Sequence, residues 1–170
     1  MANLATIGDA IVAEINAAAT AGEFNRTFAA KVLWGKRQIK LEELDTLRVD
    51  VAPINHSRIL FARGVHLLEF NFHVGVRKRF VEADETNGGE ISDDEIEGLA
   101  TLLDELLTFF MPRQTSESGR PLSTFPTAWV LGPTGEMGIE STILWEDLEA
   151  LRQFTGFFPL TIHISESDAG

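Results

Sequence analysis

The chain has 170 residues, of which 44% are hydrophobic and 24% are charged, and its formal net charge is −12. This composition is typical of one globular domain with a single core. Because phosphates are bound by Lys and Arg, the excess of acids argues against nucleic acid or an anionic membrane as the principal ligand. The chain has no cysteine, which excludes disulfides, thiolate catalysis and cysteine-based zinc sites.

The first third of the chain predicts one helix followed by strands. Apolar residues at helical spacing predict an amphipathic helix over Ile7–Ala19, which Gly22 ends. A single helical turn is expected over Leu41–Leu44. Pro53 is expected to stop a strand, and Gly64 to form a turn. Alternating apolar residues predict the strands themselves over residues 24–34, 47–51 and 57–63.

The clearest pattern in the sequence is the alternation from Leu68 to Val76, which predicts a strand with one buried face and one polar face. A shift of one residue would bring Glu69 and Arg77 into the core, so the pattern also predicts the register. The predicted buried residues are Leu68, Phe70, Phe72, Val74 and Val76, and the predicted polar side holds Glu69, Asn71, His73, Gly75 and Arg77.

The rest of the chain predicts an acidic loop, two helices and three strands. The loop covers residues 82–94, and Ser92 or Asp93 is expected to cap the helix that follows, which ends before Pro112. Segments 125–131 and 137–143 are expected to pair as a hairpin. A short helix over Trp145–Arg152 then leads into a last strand over Phe154–Ile164. The apolar stripe of the longer helix is Ile96, Leu99, Leu102, Leu103, Leu106 and Leu107.

This order of elements predicts an α+β fold, in which helices pack on one face of a mostly antiparallel sheet. A parallel doubly wound sheet would need helices between nearly all strands, and none is predicted between Thr46 and Phe80. We expect a single domain over residues 1–164 and a flexible C-terminal tail over residues 165–170. No signal peptide and no membrane span are expected.

Two candidate metal sites are weak. The four histidines, His56, His66, His73 and His163, are not spaced to place two ligands on one helical face, and we expect ordinary polar roles for them. Residues 84–95 match an EF-hand loop at positions one, six, eight and twelve. Thr86 and Gly88, however, stand where calcium ligands are needed, and a strand is predicted where an EF-hand has a helix. We therefore expect no metal, no other cofactor and no enzymatic activity.

The strongest basic run is Arg77, Lys78 and Arg79, at the end of the clearest strand and directly before the acidic loop. Such a run is usually a solvated strand end, and it can also serve as a docking patch. We predict that these bases meet acids of a neighbouring subunit, so that both groups act in assembly and not in folding. The predicted interface residues are Arg77, Lys78, Arg79, Glu82, Asp84 and Glu85.

Four segments together resemble the neck and tail-completion proteins of long-tailed bacteriophages, among which the tail terminators are the most similar. These segments are the opening helix, the strand Leu47–Pro53, the strand Phe70–Lys78 with its ending VGVRKR, and WEDLEALRQFTGFFPLTI at residues 145–162. The acidic loop corresponds to no feature of that family.

The resemblance implies a structural virion protein, made in the host cytoplasm, that forms a six-membered ring on the end of the tail tube. Its implied partners are further copies of itself, the tail tube protein and the head connector or adaptor protein. DNA would pass through the ring without specific binding, as an acidic lumen allows. Two alternatives from other classes remain open, namely a small-molecule-binding protein or enzyme with an unrecognised site, and a calcium-binding module that uses residues 84–95.

Overall fold

The computed structural model describes residues 2–35, 41–80, 91–111, 122–131 and 139–167. Its elements, in chain order, are α1 (Leu4–Ala21), β1 (Ala30–Val32), a 3₁₀ turn (Leu41–Leu44), β2 (Arg48–Ala62), β3 (Val65–Arg79), α2 (Asp93–Phe110), β4 (Ala128–Leu131), β5 (Thr142–Ile143), α3 (Trp145–Leu151) and β6 (Gln153–Ser167). The strands form one sheet in the order β1-β2-β3-β6-β4, and β5 also pairs with β6. All pairings are antiparallel except that of β1 with β2, so the predicted α+β fold is confirmed.

The register predicted for β3 is confirmed. Phe70, Phe72 and Val74 are buried, whereas His73, between two of them, is exposed. Cross-strand pairing carries the same alternation into β6, where Phe72 lies opposite Leu160 and Val74 lies opposite Phe158. One face of the sheet is therefore continuously apolar over its central strands.

Both long helices cover this apolar face. In α1, Ile7, Ile11 and Ile15 are fully buried, and the helix contacts β1, β2 and β3. In α2, the ring of Phe110 lies 6.5 Å from that of Phe158 in β6. The other face carries neither of these helices, and we call it the open face.

The ends of α1 follow from local chemistry. Asn3 accepts a hydrogen bond from the amide of Thr6, whose hydroxyl accepts one from the amide of Asn3, a reciprocal cap of the first turn. Gly22 ends the helix as predicted, with φ of 76°. By length and by its mean hydropathy of 1.2, α1 would also be able to cross a membrane, but its isoleucines pack on the sheet as in a core helix.

Two strand predictions in the first half are wrong. The strand expected over residues 24–34 is reduced to Ala30–Val32. The strands expected on either side of Pro53 are one continuous strand, β2. Pro53 is tolerated because β1 pairs only with Val49, Asp50 and Val51, so no described strand needs a hydrogen bond from the outer side of residue 53. The register shifts between Pro53 and Asn55, as in a bulge.

Two predictions for the second half are also wrong. β4 and β5 do not form the expected hairpin, because each pairs instead with the outer edge of β6. Pro159 lies between those two pairings and has no amide hydrogen to donate. No described strand pairs with the outer edge of β6 at this position, so no hydrogen bond is lost. The flexible tail was expected from residue 165, but Ser165, Glu166 and Ser167 pair with β3, and the rest of the expected tail lies outside the described residues.

Candidate functional site

The three bases of the predicted interface all have partners within the subunit. At the end of β3, Arg77 Nη1 lies 3.4 Å from Asp50 Oδ2, and Arg79 Nη2 lies 2.8 Å from Asp45 Oδ1. Lys78 points to the opposite side of the strand and forms an ion pair with Glu95 of α2. The run therefore ties β3 to three other parts of its own chain, which favours a folding role for these residues.

The acidic half of the predicted interface lies outside the described residues, because Glu82, Asp84 and Glu85 are in the range 81–90. The same applies to most of the candidate calcium loop 84–95. Its last residue, Glu95, is described, and its carboxylate contacts Lys78 and lies 3.8 Å from Arg26. The element before the loop is strand β3, as predicted, where an EF-hand has a helix.

Asp50 is the most buried charged residue that the structure describes, with 1% of its surface exposed. Its two carboxylate oxygens accept hydrogen bonds from Arg48 Nε at 2.7 and 2.9 Å. Burial raises the pKa of Asp50, and the two arginines, Arg48 and Arg77, act in the opposite direction. An aspartate held in this way is a structural acceptor, because both of its oxygens are engaged by arginines.

A cavity of about 150 Å³ lies over this ion pair on the open face. His73, Thr155 and Leu144 line it together with Asp50 and Arg77. Its volume is well below the roughly 300–1,000 Å³ of sites that enclose small molecules. This cavity therefore gives little support to the small-molecule-binding alternative, whereas a more open cavity of about 400 Å³ beside Glu43, Thr46 and Arg48 falls within that range.

A hydrogen-bonded polar network occupies the middle of the open face. Thr161 donates its hydroxyl hydrogen to Asn71 Oδ1 at 2.7 Å, and Asn71 Nδ2 donates to Asn55 Oδ1 and to Glu69 Oε1. The network joins β2, β3 and β6 across the sheet. It makes this face rigid and polar, and Glu69 is its one charged member.

His163 is buried beside this network, which the sequence analysis did not predict. Its ring stacks on that of Trp129 in β4 at 5.8 Å, and its Nε2 lies 4.0 Å from Glu69 Oε2. Its Nδ1 is buried and has no hydrogen-bond partner in the described part of the protein. Burial lowers the pKa of His163, and Glu69 partly opposes this. Within the described ranges, no three His, Asp or Glu side chains come together as a metal site.

The most exposed apolar surface lies on the outer half of the β2–β3 hairpin, residues 54–63, which we call the arm. Leu60 is 66% exposed, and Ile54 and Ile59 are each 50% exposed. Beyond Val51, the outer edge of β2 has no strand beside it in the described ranges. The sequence analysis missed this surface because alternation marks a strand but does not show which of its residues a helix will cover.

A second exposed apolar group lies on residues 139–151, which we call the acidic segment. Trp145 and Leu151, at the two ends of α3, are 56% and 59% exposed, and Leu144 is also exposed. Four acids accompany them, at Glu140, Glu146, Asp147 and Glu149, and the segment has no Lys or Arg. Its helix was predicted from the sequence, but the exposure of its Trp was not.

Comparison with known proteins adds no assignment. No model of a known protein family matches the chain, and a search of curated proteins finds no significant relative.

Proposed function

We propose that the protein is a structural subunit of a long-tailed phage virion, which closes the tail tube as a six-membered ring and joins it to the head connector. The resemblance of the four sequence segments supplies the identity of the assembly. The structure supplies a separate reason to expect self-association, which is the open edge of the arm.

An edge strand of this length is unusual for a protein that stays monomeric. β2 has 15 residues, and its outer edge is uncovered from Ala52 to Ala62 in the described part of the sheet. Unpaired backbone groups beside exposed Ile59 and Leu60 form a template for another chain. Native proteins protect such edges with charges, bulges or a partner. Here the two register shifts of β2, Pro53 and the charge of Arg58 blunt the edge in part, but Ile54, Ile59 and Leu60 remain exposed.

A closed ring would protect this edge on every copy. In a heterologous interface the arm of one subunit meets a different surface of the next, and a closing rotation leaves no arm free. Apolar residues that would otherwise cause aggregation then become buried at subunit contacts. A ring accordingly accounts for an exposed apolar edge in a chain with a formal net charge of −12.

The net charge suits the same role. A formal charge of −12 per subunit would be multiplied around a ring, and a negative lumen repels phosphates instead of retaining them. DNA could then move through the opening without being bound. A ring that stores or reads DNA would need a basic lumen instead.

Solution mass and electron microscopy test the proposal. The purified protein is measured by light scattering and native mass spectrometry over a range of concentrations, alone and with tail tubes of the phage that encodes it. We expect a ring, either free in solution or on the end of the tube. A protein that stays monomeric under all these conditions and is absent from particles would overturn the proposal.

A further inference from the structure

We infer that the ring contact is formed by the arm of one subunit docking on the acidic segment of the next copy. This inference rests on the proposed ring and specifies its two surfaces. It differs from the contact expected from the sequence, because Arg77, Lys78 and Arg79 are paired within the chain and less than a third of each side chain is exposed. Arg58 of the arm is also paired, with Glu166, but 51% of its side chain is exposed.

The arm combines apolar exposure with positive charge. From Val51 to Leu68 the sequence contains no Asp or Glu, although acids outnumber bases by 26 to 14 in the whole chain. Within this range lie the exposed residues Arg58 and Arg63. The arm is therefore a basic, apolar surface on an acidic protein.

The acidic segment has the complementary composition. Trp145 and Leu151 expose large apolar surfaces, and Glu146 and Glu149 are exposed between them. Trp and Arg are the residue types that most often dominate the energetics of protein interfaces. A contact between the two surfaces would bury apolar area at its centre and pair opposite charges at its rim.

The two surfaces cannot meet within one subunit. Ile59 and Leu60, at the tip of the arm, lie beside the part of β3 that pairs with Ser165 and Glu166 of β6, whereas β5 pairs with Gly156 and Phe157. At ~3.3 Å per residue, the eight residues from Phe157 to Ser165 span roughly 26 Å. The surfaces also lie on opposite edges of the sheet, since β2 is on one side of β3–β6 and β5 is on the other.

This placement favours a head-to-tail contact between copies. Complementary surfaces at opposite edges of a subunit generate rings or filaments. The simplest competitor is a symmetric dimer in which two arms pair edge to edge. That arrangement would bring Arg58 and Arg63 of both copies to one edge, and like charges across a strand pair are destabilising. The acidic segment of a second copy is therefore the better occupant.

Two charge-reversed variants test the contact. The arm variant carries Arg58→Glu and Arg63→Glu, and the segment variant carries Glu146→Lys and Glu149→Lys. A control with the same charge change as the segment variant carries Glu97→Lys and Asp104→Lys, at exposed positions of α2. Because Arg58 contacts Glu166 at 2.9 Å, Leu60→Asp is a second arm variant that leaves this pair intact. The melting temperature of each variant is measured before its assembly.

We expect each reversed variant alone to need a protein concentration higher by about tenfold or more for half-assembly, because charge complementarity at the contact is lost. An equimolar mixture of the arm and segment variants should recover assembly, since reversed arms then face reversed segments in an alternating ring. The α2 control should assemble like the wild type. Leu60→Asp should weaken assembly and should not be rescued by the segment variant.

Three results separate the possible failures. A wild type that forms rings while both reversed variants also assemble normally would overturn this contact and leave the ring proposal standing. Loss of assembly in the arm variants alone, with a normal segment variant, would identify an arm-to-arm contact and reject the acidic segment. A wild type that never assembles would reject the ring proposal itself.

Discussion

The two faces of the central strands show how differently apolar and polar surfaces are encoded. On the covered face, Phe70, Phe72 and Val74 of β3 pack under two helices. On the open face, Asn71, His73 and Gly75 alternate with them, yet this face is not simply solvated. It holds buried Asp50, Thr155, Thr161 and His163. Burial on the covered face follows from hydrophobicity, whereas on the open face it depends on hydrogen bonds and ion pairs between strands.

The largest expected difference between the faces is that between Phe72→Asp and His73→Asp. Phe72 is 1% exposed, and an unpaired carboxylate in its place costs several kcal/mol, a large share of the ~5–15 kcal/mol stability of an ordinary domain. His73 is exposed, so its replacement should lower the melting temperature by only a few degrees. Circular dichroism melts compare the two variants. Similar losses would show that the two faces of β3 are not distinct.

Arg77 and Arg79 lie on the open face at the end of β3, and they differ in how deeply their acidic partners are buried. Arg77→Glu places a carboxylate against buried Asp50 while Arg48 remains, so we expect a loss of about 2–3 kcal/mol, below the ~3–5 kcal/mol for breaking a fully buried pair. Arg79→Glu makes the same charge change at a more exposed pair, with Asp45, and should cost ~0.2–1 kcal/mol.

Urea unfolding of the two arginine variants measures this difference. Equal and small losses would return both arginines to the role in assembly that the sequence suggested. A large loss for Arg77→Glu alone would confirm that the basic run is in part a folding element.

Two glycines compare the packing of the faces directly. A Cβ at Gly156, on the covered face, would lie 2.7 Å from Leu103 Cδ2 and 3.1 Å from the ring of Phe154, whereas one at Gly75, on the open face, would meet nothing closer than 3.7 Å. Gly156→Ala should therefore cost about 1–3 kcal/mol through overpacking. Gly75→Ala should be neutral or slightly stabilising, because it restricts the unfolded chain. Urea unfolding of both variants provides the measurement, and an equal cost at both glycines would contradict the packing difference.

The covered face was predictable because its residues are apolar, so that each of them indicates a buried position. The alternation in β3 and the leucine stripe of α2 gave the core, the register and the fold class before any contact was known. The end of α1 at Gly22 and the start of α2 after Ser92 were also predictable, whereas α1 begins at Leu4, three residues before the predicted start.

The errors occurred where long-range pairing decides the outcome. Pro53 removes an amide hydrogen, and the sequence does not show that no described strand needs a hydrogen bond from it. The hairpin expected between 125–131 and 137–143 did not form because β6 offers 15 residues of edge to both segments. The exposed arm and acidic segment were missed for the same reason, since exposure depends on where the helices end.

The smallest expected difference concerns His163, whose burial on the open face should make folding sensitive to pH. Burial lowers its pKa from 6.5 in the folded protein, so the unfolded chain takes up the proton first as the pH falls. Stability should therefore be fully present above about pH 6.5 and decrease as the pH falls toward the lower folded pKa. His163→Phe keeps a ring against Trp129 and removes the titrating group, so it should lose less stability between pH 7.5 and 5.5.

Urea unfolding across this pH range compares His163→Phe with the wild type. The side chain of His73 is exposed, but partial desolvation of its ring, which stacks on Phe157, also lowers its pKa. Part of the slope should therefore remain in the single variant and decrease further when His73→Gln is added. Asp50 acts with the opposite sign, because its raised pKa means that protonation at low pH favours the folded state. Both the variant and the wild type contain Asp50, so its contribution to the pH dependence cancels when their unfolding free energies are compared. An unchanged slope in His163→Phe would contradict this prediction, because it would mean that Glu69, as counterion, offsets the burial of His163 and leaves its pKa unshifted on folding.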